Sequence, residues 1–178
     1  YAAQYPNDVA GMVLLDATSP EAFTVLPDFS GTQAMMRRLL GVWASVSRLG
    51  LAQLVGAGAG DGLPAPADGQ VSSFASSPRS TRGALLELSK MATSLSDAQQ
   101  LKDLAGKPLA VVTAAKGQQA GWAAAQDRLA TLSTNSLHRV VPATHQSLVT
   151  GKVDSSYSAQ AITDVVRSVR ARSALPAS

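Results

Sequence analysis

Three short apolar runs constrain this chain more than any other feature. They are "VAGMVLL" at 9–15, "GKPLAVVTA" at 106–114 and "SLHRVVPA" at 136–143. The first two do not alternate polar with apolar residues, so neither suits a sheet with one face in water. Unalternating runs of this length suit strands of a parallel sheet covered on both faces. Between and after them lie segments with helical spacing. Residues 118–132 carry Trp122, Leu129 and Leu132. Residues 157–172 place Ile162, Val165, Val166 and Val169 at i, i+3, i+4 and i+7, a single apolar face. Strands alternating with helices predict βαβ crossovers and an α/β parallel sheet of about three strands with flanking helices.

The first two strands are separated by far more chain than a crossover needs. The helical region between them reads as an insertion that can sit over one end of the sheet. Within it, 32–54 repeats Met35, Met36, Leu39, Leu40, Trp43, Val46 and Leu49 at helical spacing. A Gly/Pro/Ala loop at 56–69 breaks the pattern. Residues 70–102 are helical again, interrupted at "SSPRS", with Leu85, Leu86, Leu88, Met91 and Leu95 on the apolar side. At the start of the chain, "YAAQYPNDV" reads as the last turn of a helix stopped by Pro6. After the first strand, Thr18 or Ser19 can cap a helix with Pro20 at its first position.

Composition narrows the function classes. The chain has 178 residues, 46% of them apolar and 15% charged, which is enough for one packed domain and unlike a disordered segment. Aromatics make up only 4%, so the core is aliphatic. The formal charge of +3 forms no basic stripe with interleaved aromatics, so no nucleic acid partner is expected. The arginines near the C-terminus complement a helix dipole. Cysteine is absent, which excludes disulfides, thiolate metal sites and a cysteine nucleophile but leaves the compartment open. No apolar run approaches the ~18 residues of a membrane span. The chain begins at Tyr1 rather than Met, and the expectation is a piece of a longer protein, a processed product or a trimmed one.

Chemistry in such a fold is expected beyond the carboxyl ends of the strands. Asp16 stands directly after the first run and His145 just after the third. A histidine oriented by a carboxylate on one ring nitrogen can act as general base through the other. Glu21 is a weaker substitute for the acid. His138, at the start of its strand, reads as structural. "GAGAGDG" lacks the Lys-Ser/Thr and preceding strand of a phosphate loop. No His, Asp and Glu group has metal-ligand spacing, and no cofactor is implied. The Met35–Trp43 stripe reads as core, or as the underside of a cap facing a hydrophobic substrate.

These residues carry a resemblance. "YAAQYPNDVAGMVLLDATSPEAF" is similar to the segment after the nucleophile elbow of α/β-hydrolases, where a helix ending in "YA..YP" leads through "V.G.VLLD" into the sixth strand. "KPLAVVTA" resembles the seventh strand. "LHRVVPATHQSL" with "AITDVVRSVR" resembles the eighth strand, the catalytic-histidine loop and the final helix. The likeness covers nearly the whole chain, with residues 24–105 in the place of the variable cap. It implies the C-terminal part of an α/β-hydrolase fold. His145 would then be the general base and Asp16 the orienting acid, in the position after the sixth strand that a subset of the family uses.

Three departures from the family pattern qualify it. The loop after the seventh strand, "AAKGQQAGW", has no carboxylate before Asp127, and Thr144 stands where the family usually has Gly. The G-x-S-x-G elbow is absent. Ser19, Ser47 and Ser147 lack its glycines and its strand–turn–helix setting. The resemblance puts the nucleophile upstream of Tyr1. The function it implies is part of a serine hydrolase acting on a small, partly apolar ester-like substrate. The alternative is a truncated, non-catalytic binding or interaction protein. A dehalogenase or epoxide hydrolase would need an aspartate at the elbow. The sixth strand would lack its usual neighbour, leaving the edge along 10–15 open to pairing with another chain.

Overall fold

The computed structural model describes residues 1–52 and 62–176. The part of the Gly/Pro/Ala loop at 56–61 lies outside them. The chain divides into two units, Tyr1–Pro27 with Leu95–Ser178, and Asp28–Ser94.

The first unit is built on a three-stranded parallel sheet in the order β1–β2–β3. Its strands are β1, Met12–Leu15, β2, Leu109–Lys116, and β3, Ser136–Thr144. Four helices accompany it: α1, Ala22–Val25, α5, Trp122–Ala130, α6, Ser147–Thr150, and α7, Ser155–Ala171. The second unit contains α2, Phe29–Arg48, α3, Ala67–Ala75, and most of α4, Pro78–Ala98.

The central strand explains the unalternating apolar run. Side chains of β2 leave the sheet on opposite sides, and both sides are covered. Ala110, Val112 and Ala114 join Leu137, Val141, Ala143, Leu148, Ala161 and Val165 on the α7 face. Leu109 and Val111 join Ala2, Leu104 and Leu129 on the α5 face. Every residue from Leu109 to Ala114 is buried, so hydrophobic burial acts along the whole run.

β1 is shorter than the run that encodes it. The ladder begins at Met12, whose N–H donates to the Pro108 carbonyl. Val9 and Ala10 precede it, in an approach that includes a 3-10 turn at Pro6–Asp8. As an edge strand β1 has one neighbour, and all four of its residues are half-buried rather than buried. β3 lies at the opposite edge. It carries a register irregularity against Ala114–Lys116, and Pro142, which has no N–H to donate, falls there. Proline inside a strand is confined to edges and bulges for that reason.

Polar groups tie both faces together. On the α7 side, Arg139 Nη1 lies 2.9 Å from Asp164 Oδ2. This is an ion pair in distance, without the angle of a hydrogen bond. Gln160 donates to the other oxygen of Asp164 at 2.7 Å. On the α5 side, His138 uses both ring nitrogens. Nδ1 is 2.9 Å from Asp127 Oδ1 on α5, and Nε2 is 2.7 Å from Thr113 Oγ1 on β2.

The first helix after β1 starts later than its capping pattern predicts. Ser19 Oγ accepts the Glu21 N–H at 3.3 Å, and its carbonyl accepts the Ala22 N–H. Ser19 therefore makes a local turn of the kind such hydroxyls favour, and α1 begins at Ala22. In the second unit, α2 buries Phe29 and Ser47, while Met35, Met36, Leu39 and Val42 are exposed. Helical spacing identified this helix but not which of its faces is covered. Ser47 Oγ and Thr81 Oγ1 meet at 3.3 Å inside this unit. No helix of the described residues is long and apolar enough to cross a membrane.

Gly11 sets how closely α7 can approach the start of β1. A Cβ there would lie 2.8 Å from Val165 Cγ1, 3.1 Å from the Pro108 carbonyl oxygen and 3.2 Å from Val169 Cγ2. Gly11→Ala is expected to lower stability by about 1–3 kcal/mol through overpacking. Urea unfolding followed by circular dichroism checks this, and an unchanged midpoint would mean that α7 yields at no cost.

Candidate functional site

β1 ends at Asp16 because the chain turns there. Its N–H still donates to the Val112 carbonyl at 2.7 Å. Its φ of 46° then takes it into the left-handed region, which aspartate tolerates better than most side chains. That turn carries the carboxylate under the ends of the strands, where it is 1% exposed.

Four donors surround it. Oδ1 accepts the Ala114 N–H of β2 at 3.2 Å and the Trp122 indole N–H at 2.8 Å. Oδ2 accepts the Gln118 side-chain amide at 2.9 Å and faces His145 Nδ1 at 2.9 Å. The backbone amide and the indole can only donate, which matches the acceptor-only character of an ionised carboxylate. A buried charge costs several kcal/mol in lost hydration. Hydrogen bonds to charged groups return about 1.5–3 kcal/mol each, so a four-donor shell can hold it.

His145 follows β3 directly and sits in the turn before α6. Thr144 and Ser147 clasp that turn reciprocally. The Thr144 N–H donates to Ser147 Oγ at 2.9 Å, and the Ser147 N–H donates to Thr144 Oγ1 at 3.1 Å. The Ser147 hydroxyl in turn donates to Asp154 Oδ2 at 2.6 Å. Thr144 thus contributes a hydroxyl that fixes the histidine turn. The imidazole is 72% exposed. With Nδ1 presenting its proton to Asp16, the lone pair of the neutral ring lies on Nε2, which has no hydrogen-bond partner among the described residues. That atom can take a proton from a hydroxyl or water, or attack an electrophile.

The other candidates from the sequence lie elsewhere. Glu21, considered as a substitute acid, pairs with Arg128 at 3.3 Å on the surface instead of meeting the imidazole. Ser147 is committed to the clasp, Ser19 to its turn and Ser47 to the second unit. His138 is 16% exposed with both nitrogens engaged. Among the described residues no group of three or more His, Asp or Glu side chains could hold a metal.

Three residues of the site escaped the sequence reading. Gln118 and Trp122 come from the very loop noted for lacking a carboxylate. Its role here is to supply donors to an acid on the neighbouring strand. Gln126 on α5 is fully buried and donates to the Ala17 carbonyl at 2.6 Å, which supports the turn after Asp16. Its Oε1 has no hydrogen-bond partner among the described residues. An indole and two carboxamides beyond the end of a buried strand are the signal that could have found them.

No protein-family model, curated protein or solved structure matches this chain.

Two outcomes follow from the donor shell. In Asp16→Asn the amide oxygen should stay with the two obligate donors, Ala114 and Trp122, which turns the new NH2 group toward Gln118 and His145. His145 must then accept on Nδ1 and carry its proton on Nε2. Imidazole 15N NMR should show the proton on Nδ1 in the parent and on Nε2 in the variant, and the same tautomer in both would refute the assignment. Trp122→Phe keeps the ring but removes a donor from a buried carboxylate. It should cost about 1.5–3 kcal/mol in denaturant unfolding, and a loss well under 1 kcal/mol would show that the indole bond contributes little.

Proposed function

We propose that this chain is the C-terminal part of an α/β-hydrolase fold and contributes the acid–base half of a serine hydrolase. The observation that carries the reading is the 2.9 Å contact between Asp16 and His145 across the ends of β1 and β3, with Nε2 left open. His145 takes the proton of a serine hydroxyl supplied upstream of Tyr1 and later returns it to the leaving group. Asp16 holds the tautomer and stabilises the imidazolium. The substrate class is a small, partly apolar ester, and no cofactor enters the chemistry. In this reading the open edge of β1 is where a further strand of the fold pairs, and residues 24–105 are the cap.

One observation favours a second reading. Among the described residues no serine, threonine or tyrosine hydroxyl reaches His145 Nε2, so the chain by itself can be a non-catalytic binding or interaction protein.

The test uses a chain extended upstream to include a G-x-S-x-G segment. It should react with a fluorophosphonate probe and hydrolyse p-nitrophenyl esters. His145→Ala should abolish turnover, a loss of at least about 100-fold for removal of a general base, while circular dichroism stays unchanged. Ester turnover that survives His145→Ala would disprove the role given to the imidazole.

A further inference from the structure

We infer that His145 is itself an acyl acceptor, so that this chain carries a histidine-centred site for activated acyl donors, such as aryl esters and acyl anhydrides, that needs no serine. The inference goes beyond the hydrolase reading and stands without it.

The chain's two histidines are built alike and end differently. Both have a carboxylate oxygen 2.9 Å from Nδ1, Asp127 for His138 and Asp16 for His145. In each ring this places the lone pair on Nε2. At His138 that lone pair faces the Thr113 hydroxyl at 2.7 Å, and the ring is mostly covered. At His145 it faces outward from a ring that is 72% exposed. The carboxylate behind His145 is 1% exposed and held by three further donors, so ring and acid are both fixed. An imidazole whose far nitrogen is bound to a carboxylate is a better nucleophile than a free one, because the positive charge formed on attack is stabilised where it develops.

The chemistry balances without any co-reactant except water. Nε2 attacks the acyl carbon, the C–O bond to the aryl group breaks, and the aryl oxide leaves. The resulting N-acylimidazolium keeps its remaining proton on Nδ1 against Asp16 Oδ2. Water then adds to the acyl carbon and gives up one proton to solvent, the C–N bond breaks, and the carboxylic acid departs with the other proton. Nε2 is left with its lone pair again.

The 178-residue chain itself is treated with p-nitrophenyl acetate to follow phenolate release, and with diethyl pyrocarbonate followed by peptide mass spectrometry to map the acceptor. The expected result is phenolate release above that of free imidazole at equal concentration, with the carbethoxy group on His145 in preference to His138. His145→Ala should lower release by at least about tenfold, one decade of rate. Asp16→Asn should do the same by moving the proton to Nε2, whereas His138→Gln should release at the parent rate. Labelling of His138 or of lysines ahead of His145, or parent-like release by His145→Ala or Asp16→Asn, overturns the inference. Fluorophosphonate reports only on serine, so loss of its labelling in the extended chain counts against the hydrolase reading alone. Absence of histidine acylation counts against this inference alone.

Discussion

A single buried carboxylate organises this end of the molecule. Asp16 cannot lie under the strand ends unless its charge is met from several directions, and its donors come from residues 114–122 and from His145. Ala114 is on the central strand, Gln118 in the loop after it, Trp122 at the first turn of α5, and His145 in the turn after β3. These are the places where the backbone leaves the sheet and is otherwise least constrained. The cost of an uncompensated charge in a low-dielectric site therefore acts as a constraint on three connections at once. It fixes the imidazole as a by-product.

The two histidines show how one arrangement produces different chemistry according to where it lies. Each is backed by an aspartate. On the α5 face the pair ends on a threonine hydroxyl of the neighbouring strand, so its hydrogen-bonding capacity is spent inside the protein, tying β2, β3 and α5 together. Beyond the strand ends the same pair has no such neighbour among the described residues and opens on water. Structural and reactive histidines here differ in the fate of one nitrogen.

Much of this was legible in the residues, for reasons that can be named. The unalternating run at 106–114 implied a strand covered twice, and β2 is that strand. The position of Asp16 and His145 immediately after apolar runs implied a common rim, and the two side chains touch. What failed to show has physical causes as well. The length of β1 depended on pairing, and pairing begins only where Pro108 offers its carbonyl to Met12. The donors to Asp16 were obscured because amides and an indole carry no charge and match no catalytic motif. In α2, periodicity marks two helix faces with apolar residues, and only contacts decide that Phe29 turns inward while Met35 and Leu39 face out.

The two margins of the sheet are not equivalent. β3 is broken by an irregular register and by Pro142, and margins of that kind template poorly. β1 offers an uninterrupted backbone from Met12 to Leu15. Should two copies meet along β1, the two-fold arrangement would place β3 on both outsides of the doubled sheet. Growth would end there, because a self-complementary contact used once by each copy closes on itself. The irregular β3 thus makes one flank of the sheet a poorer template than the other.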